Sequence, residues 1–156
     1  MDIRDEKLAN MLVNYSLAVK PGERVLLRGG VAAEPLLKEV YKKILEAGGH
    51  VFLMPDFAWE PEYLFKLGNW EQIEYVHKPQ FELFDTYDCM LRIVADEDTK
   101  ALSSVDADKM TRWTRARQPI MQTYMARAAT GALRWAVTHY PTNGYAQDAD
   151  MSLDEY

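Results

Sequence analysis

Between Pro21 and Pro55 the hydrophobic period changes from strand to helix and back to strand, and few folds accommodate that sequence of changes. Pro21-Gly22 breaks a preceding helix, and Val25-Leu26-Leu27 is an apolar run of the kind found in strands buried on both faces. Gly29-Gly30 reads as a sharp bend, because glycine frees the backbone. Glu34 precedes a proline and is expected outside the helical region, while Pro35 fits the first helical position, where its missing N–H costs nothing. Leu36, Leu37, Val40, Tyr41, Ile44 and Leu45 keep a helical period until Gly48-Gly49, a left-handed stop. Val51 to Met54 is a second short strand closed by Pro55. Residues 24 to 54 therefore form a strand-helix-strand unit, which requires a parallel strand pair.

The flanking segments extend that unit. From Arg4 to Val19, Leu8, Met11, Leu12, Tyr15 and Val19 mark one face of an amphipathic helix. Residues 56 to 87 read as a helical excursion: one short helix opens at Pro61, and another at Asn69 with Gln72 as reciprocal cap, before a break at Pro79. Cys89 to Ala95 is a third strand, apolar except for Arg92, running into the acidic loop Asp96-Glu97-Asp98. Asp106 is a good N-cap for the longest helix, whose buried stripe is expected at Met110, Trp113, Ile120, Met121, Tyr124 and Met125, with Pro119 kinking or splitting it before Gly131. Leu133, Trp135 and Val137 alternate with Arg134, Ala136 and Thr138, the pattern of a half-exposed fourth strand. The expected fold is α/β: a mostly parallel, Rossmann- or flavodoxin-like sheet of about four strands with helices on both faces. Residues 1–150 form this domain. In 151–156, Ser152 and Glu155 have the spacing of a capping box, and since one helical turn is not stable alone, the chain reads as the N-terminal domain of a longer two-domain protein.

Composition removes several functions. The single cysteine, Cys89, excludes an intramolecular disulfide, and the opening residues lack the basic and apolar regions of a secretory signal. No apolar run approaches the roughly 18 residues that span a bilayer. A net charge of −6 disfavours a large phosphate-binding surface. The expectation is a cytoplasmic protein with neither nucleic acid nor membrane as partner.

No active site emerges from the residues. His50, His77 and His139 have no ligand partners at metal spacing, and Asp96-Glu97-Asp98 does not match a calcium loop and reads as solvated. Lys109, Arg112, Arg115, Arg117 and Arg127 fall mostly opposite the apolar stripe, as an exposed helix face would place them. The Arg28-Gly29-Gly30 bend lacks the glycine spacing of phosphate loops, and Glu34 beside it would repel an anion. Cys89 inside an apolar strand reads as packing. No catalytic residue and no metal ligand is assigned.

A run of short segments in one order carries a resemblance: Leu12 to Ser16, Pro21 to Leu26, Arg28-Gly29, Ala33 to Leu37, Ala47 to His50, Thr99 to Ser103, Val105-Asp106, Ala116-Arg117, Leu133 to Trp135, Tyr140 to Thr142, Ala146-Gln147 and Met151 to Leu153. Together they resemble the N-terminal domain of the thermophilic metallo-aminopeptidases, the aminopeptidase T and aminopeptidase S family. The sequence departs from the usual pattern at Val51, Asp98 and Lys100. The resemblance implies a cytoplasmic homodimeric exopeptidase that removes N-terminal residues from peptides. Two divalent metal ions, zinc or cobalt, would be held by a C-terminal domain beyond Tyr156. It implies no cofactor in these 156 residues.

The loop after the fourth strand follows a strand's carboxyl end and is expected to face that second domain. Trp135, His139, Tyr140, Thr142, Tyr145 and Gln147 are the candidate interdomain or cavity-lining residues, although the aromatics also read as plain core or surface side chains. The alternative function is a non-catalytic Rossmann-like module that binds an anionic small molecule at Arg28-Gly29-Gly30, or one that only dimerises.

Overall fold

In the computed structural model, which describes residues 2–156, Val25, Leu26 and Leu27 lie on the central strand β1 (Arg24–Gly30) and are all buried. β1 pairs in parallel with β2 (His50–Asp56) on one side and β3 (Cys89–Val94) on the other, and β4 (Arg134–His139) pairs with β3. The order β2-β1-β3-β4 is all parallel, as the strand-helix-strand reading requires. A 3-10 turn, Val31–Ala33, leads from β1 into α2 (Glu34–Glu46), so the chain reverses there rather than at the glycines. Glu34 is consequently helical (φ −48°, ψ −43°), not extended as its proline neighbour suggested.

Gly29 and Gly30 remain within β1 and make no bend. Their use is close approach: a Cβ on Gly29 would sit 2.7 Å from Leu37 Cδ2 of α2, and one on Gly30 would sit 3.0 Å from Ala95 Cβ. Left-handed backbone falls instead at Gly22, Gly48 and Gly131, the last two at the helix ends where it was expected.

Successive strand residues point to opposite faces, and parallel register keeps paired residues on the same side, so the sheet divides cleanly. The first face carries Val25 and Leu27 of β1 with Cys89, Leu91 and Ile93 of β3, packed against Leu36, Leu37, Val40 and Ile44 of α2. Each fully buried leucine contributes about 2 kcal/mol. The second face carries a smaller cluster, Leu26, Met90 and Leu133, covered by Leu83 and Phe84 of α5 (Lys78–Thr86) and Tyr124 of α7 (Gln118–Thr130). β4 turns out to be an edge whose apolar side chains on the second face are poorly covered: Leu133, just before it, is buried, but Trp135 and Val137 are each 51% exposed, while Ala136 packs on the main core.

The N-terminal helix departs from a simple stripe. α1 (Ile3–Asn10) passes into a π-helix, Met11–Ser16, and the Leu17 N–H donates to the Leu12 carbonyl at 2.9 Å. The wider turn shifts the buried set to Ala9, Leu12, Val13 and Leu17, and leaves Met11 and Tyr15 exposed. The element ends on Ala18 in the left-handed region (φ 47°), with the Val19 N–H closing onto the Val13 carbonyl at 3.1 Å. Alanine is strained there, so Ala18→Gly is expected to stabilise the fold by about 1 kcal/mol. Thermal unfolding checks this, and a lowered Tm would contradict it.

The excursion forms α3 (Trp59–Leu67), α4 (Trp70–Glu74) and α5. The Asn69–Gln72 reciprocal cap is present, with the Gln72 N–H donating to Asn69 Oδ1 at 2.8 Å and the Asn69 N–H to Gln72 Oε1 at 2.9 Å. Pro79 sits in the first turn of α5, so it opens a helix rather than breaking one. α6 (Ala107–Ala116), capped by Asp106, and α7 are the two halves of the split helix, with Pro119 in the first turn of α7. In the expected stripe only Ile120 is buried; Met110, Met121 and Met125 are exposed, because α6 packs on the excursion and α7 reaches only part of the sheet. The basic residues read as a solvent face are largely engaged. Lys109 Nζ donates to the Phe65 and Gly68 carbonyls, Arg117 to those of Ile73 and Tyr75, and Arg127 to that of Phe84. Arg112 pairs with Glu74 and stacks on Trp70 at 4.1 Å. Among the described residues, no helix is long and apolar enough to cross a membrane.

Candidate functional site

The loops that follow β3 and β4 are tied to each other at the carboxyl end of the sheet. Thr142, 2% exposed, donates from Oγ1 to the Asp96 carbonyl at 2.6 Å and accepts the Tyr145 N–H at 3.3 Å, which caps α8 (Asn143–Asp148). The Tyr145 hydroxyl accepts the Asp96 N–H at 3.1 Å and donates to Asp96 Oδ2 at 3.2 Å. Burial pushes the Tyr145 phenol above its ordinary value, so it stays neutral and can keep donating at neutral pH. Thr99 Oγ1 adds a bond to Asp148 Oδ2 at 2.5 Å. The acidic loop is therefore not simply solvated, since Asp96 is the hub of a network joining residues 49 positions apart.

His139, exposed at the end of β4, lies edge-on to the Tyr145 ring at 5.4 Å, and Tyr156 approaches Tyr145 from another side at 6.4 Å. The reciprocal Ser152–Glu155 cap is formed, with the Ser152 N–H donating to Glu155 Oε2 at 2.9 Å and the Glu155 N–H to Ser152 Oγ at 3.3 Å. His139, Thr142 and Tyr145 thus converge, with Gln147 exposed on the same short helix. Tyr140 does not join them, because strand alternation turns it onto the main core. Trp135 lies further down the second sheet face, 6.1 Å from the Tyr124 ring.

The chemistry available here is positional. The Thr142 hydroxyl bonds in both directions to partners that are not bases, so nothing activates it as a nucleophile. His50 begins β2, His77 immediately precedes α5 and His139 ends β4, each on a different element. Among the described residues, no three His, Cys, Asp or Glu side chains stand together so as to hold a metal ion. The side chains present therefore do not fit the metal pair that the sequence resemblance implies. Cys89 is no nucleophile either: burial pushes its thiol up to about 12, against a partial offset from Arg134, whose Nη2 lies 3.2 Å from the sulfur.

One feature passed over in the sequence is the strand register of two arginines. Arg28 of β1 pairs with Arg92 of β3, so both lie on the second sheet face, flanked in register by Met54 of β2 and Val137 of β4. Arg28 Nη2 bonds Asp56 Oδ1 at 3.0 Å, and Arg92 is exposed with no hydrogen-bond or ion-pair partner among the described residues. The available signal was an arginine inside each of two largely apolar strands, but only pairing shows that they are neighbours.

The sequence model of a family described as thermophilic metalloprotease (M29) matches residues 2–156. No curated protein matches. Among solved structures, wild-type AmpT from Thermus thermophilus is similar with a TM-score of 0.75 and 17% sequence identity, over 97% of this chain and 40% of that one. The likeness is one of fold, and this chain spans less than half of the AmpT chain.

Proposed function

This chain belongs to the thermophilic metalloprotease family M29, and on that footing we propose that it serves as the N-terminal α/β domain of a dinuclear metal aminopeptidase acting on peptides. The observation that carries the reading is the family match over residues 2–156, in a chain that covers 40% of the similar AmpT chain. In this reading the ligands and catalytic groups belong to polypeptide outside these residues. The metals, zinc or cobalt, supply an activated water and a polarised carbonyl when bound. The domain's own part is architectural. Thr142 and Tyr145 lock the two carboxyl-end loops through Asp96, and that stiff rim presents His139, Tyr145 and Gln147 towards the catalytic domain. A homodimer in the cytoplasm belongs to the same reading.

The test compares two proteins. The purified 156-residue chain should give no metal-dependent hydrolysis of an amino-acyl anilide with added zinc or cobalt, and a protein that also carries the family's catalytic domain should hydrolyse it and lose activity to a chelator. Chelator-sensitive turnover by the 156-residue chain would move the metal site into this domain.

A further inference from the structure

We propose that Arg28 and Arg92 form a carboxylate-binding site on the open part of the second sheet face, and that its ligand is the C-terminal carboxylate of a short peptide. Two arginines in register on adjacent central strands are a costly arrangement, because like charges directly opposite each other repel. The fold supplies one carboxylate, Asp56, and gives it to Arg28. The Nε of Arg28 is buried without an acceptor, and Arg92 has none at all among the described residues. Two guanidinium groups against one carboxylate leave a single positive charge to be matched. A monoanion matches it, and the planar oxygens of a carboxylate suit the guanidinium fork.

Arg28 and Arg92 lie two residues short of the carboxyl ends of their strands, close to the end of the sheet that ligands use. α2 carries the chain from β1 over the first face to β2, whereas α6 and α7 carry it from β3 to β4 with α7 on the second face. The connections diverge at the carboxyl ends of β1 and β3, the switch point where open α/β sheets bind ligands. The residues flanking the pair are apolar, Met54 on one side and the exposed Val137 on the other, with Trp135 one strand step below Val137. They suit the terminal side chain of a peptide better than a free inorganic anion. The choice of a peptide as bearer of the carboxylate rests on the aminopeptidase reading above.

The experiment reads binding alone, by following backbone amides of the isotope-labelled 156-residue chain in NMR titrations with glycyl-leucine, glycyl-leucinamide and inorganic phosphate. Glycyl-leucine should shift the amides of Arg28, Arg92 and Val137 saturably, with the amide and phosphate binding at least about tenfold more weakly. Arg92→Gln, at an exposed position, should raise the glycyl-leucine Kd about tenfold while leaving the circular dichroism unchanged. Equal affinity for the amide, tighter binding of phosphate, an unaltered Kd in the variant, or no shifts at all would overturn the proposal. None of these results depends on turnover, so the aminopeptidase reading stands or falls separately.

Discussion

Gly144→Ala should cost about 3 kcal/mol of folding stability, a fall in Tm of about 6–12 °C for a chain of this size. A Cβ at this position would lie 2.4 Å from the Glu97 carbonyl oxygen, 2.8 Å from its carbon and 3.1 Å from the Asp96 oxygen. All three atoms are backbone, so no side chain can swing aside. The loop must move, and with it the Asp96 contacts to Thr142 and Tyr145. Gly29→Ala is the informative comparison, since its nearest clash, 2.7 Å, is with the end of the Leu37 side chain. Its effect should be smaller. Hydrogen exchange at the Asp96 and Tyr145 amides should accelerate in Gly144→Ala more than exchange in β1. A Tm within about 2 °C of the parent would show that the two loops are not held as described.

Arg134→Met is the second substitution with a large expected effect, about 3 kcal/mol. Arg134 Nε donates to the Leu17 carbonyl at 2.7 Å, and its Nη2 donates to the Glu23 carboxylate, which is itself mostly buried. Removing the guanidinium leaves the Glu23 carboxylate without its cation, with the Lys20 N–H as its remaining backbone donor at 2.9 Å, and takes the side-chain donor from the Leu17 carbonyl. Glu23→Gln combined with Arg134→Met should therefore cost less than the two single changes summed, with a coupling of about 1 kcal/mol or more. Urea unfolding of the four proteins with a common m-value measures this. Strict additivity would mean that Arg134 does not stabilise the fold through Glu23.

The features legible in the sequence are those governed by neighbours within a few residues. The β1-α2-β2 unit, the stops at Gly48 and Gly131, and the caps at Asn69, Asp106 and Ser152 each depend on local backbone geometry, and each is present. Gly29 and Gly30 show the limit: the same residue serves a bend or a close approach, and only the position of Leu37 and Ala95 tells them apart. The π-helical turn defeated the stripe drawn through Met11 and Tyr15 because it changes the period on which such stripes rest. Trp135 and Val137 suggested a covered face, but burial of an edge strand is decided by how far α7 reaches.

At the candidate site, the convergence of His139, Thr142 and Tyr145 was accessible from their short spacing after a strand. Their anchor, Asp96, was not, because nothing local joins two loops so far apart. For Tyr140 the alternation of strand directions at the end of β4 favours the core reading over the cavity-lining one. The arginine pair needed the register of β1 with β3, which no single strand encodes.

The bond from Arg134 to Leu17 spans 117 residues of chain. During synthesis at about 5–20 residues per second, that separation corresponds to roughly 6–23 s between the emergence of its two ends. The N-terminal helix is therefore the first element made and among the last to be fastened. Through that interval its apolar side, Leu12, Val13 and Leu17, has α2 to lean on but lacks the clamp from β4. A nascent chain halted before residue 134 should be more open to proteases at its N-terminus than the finished domain.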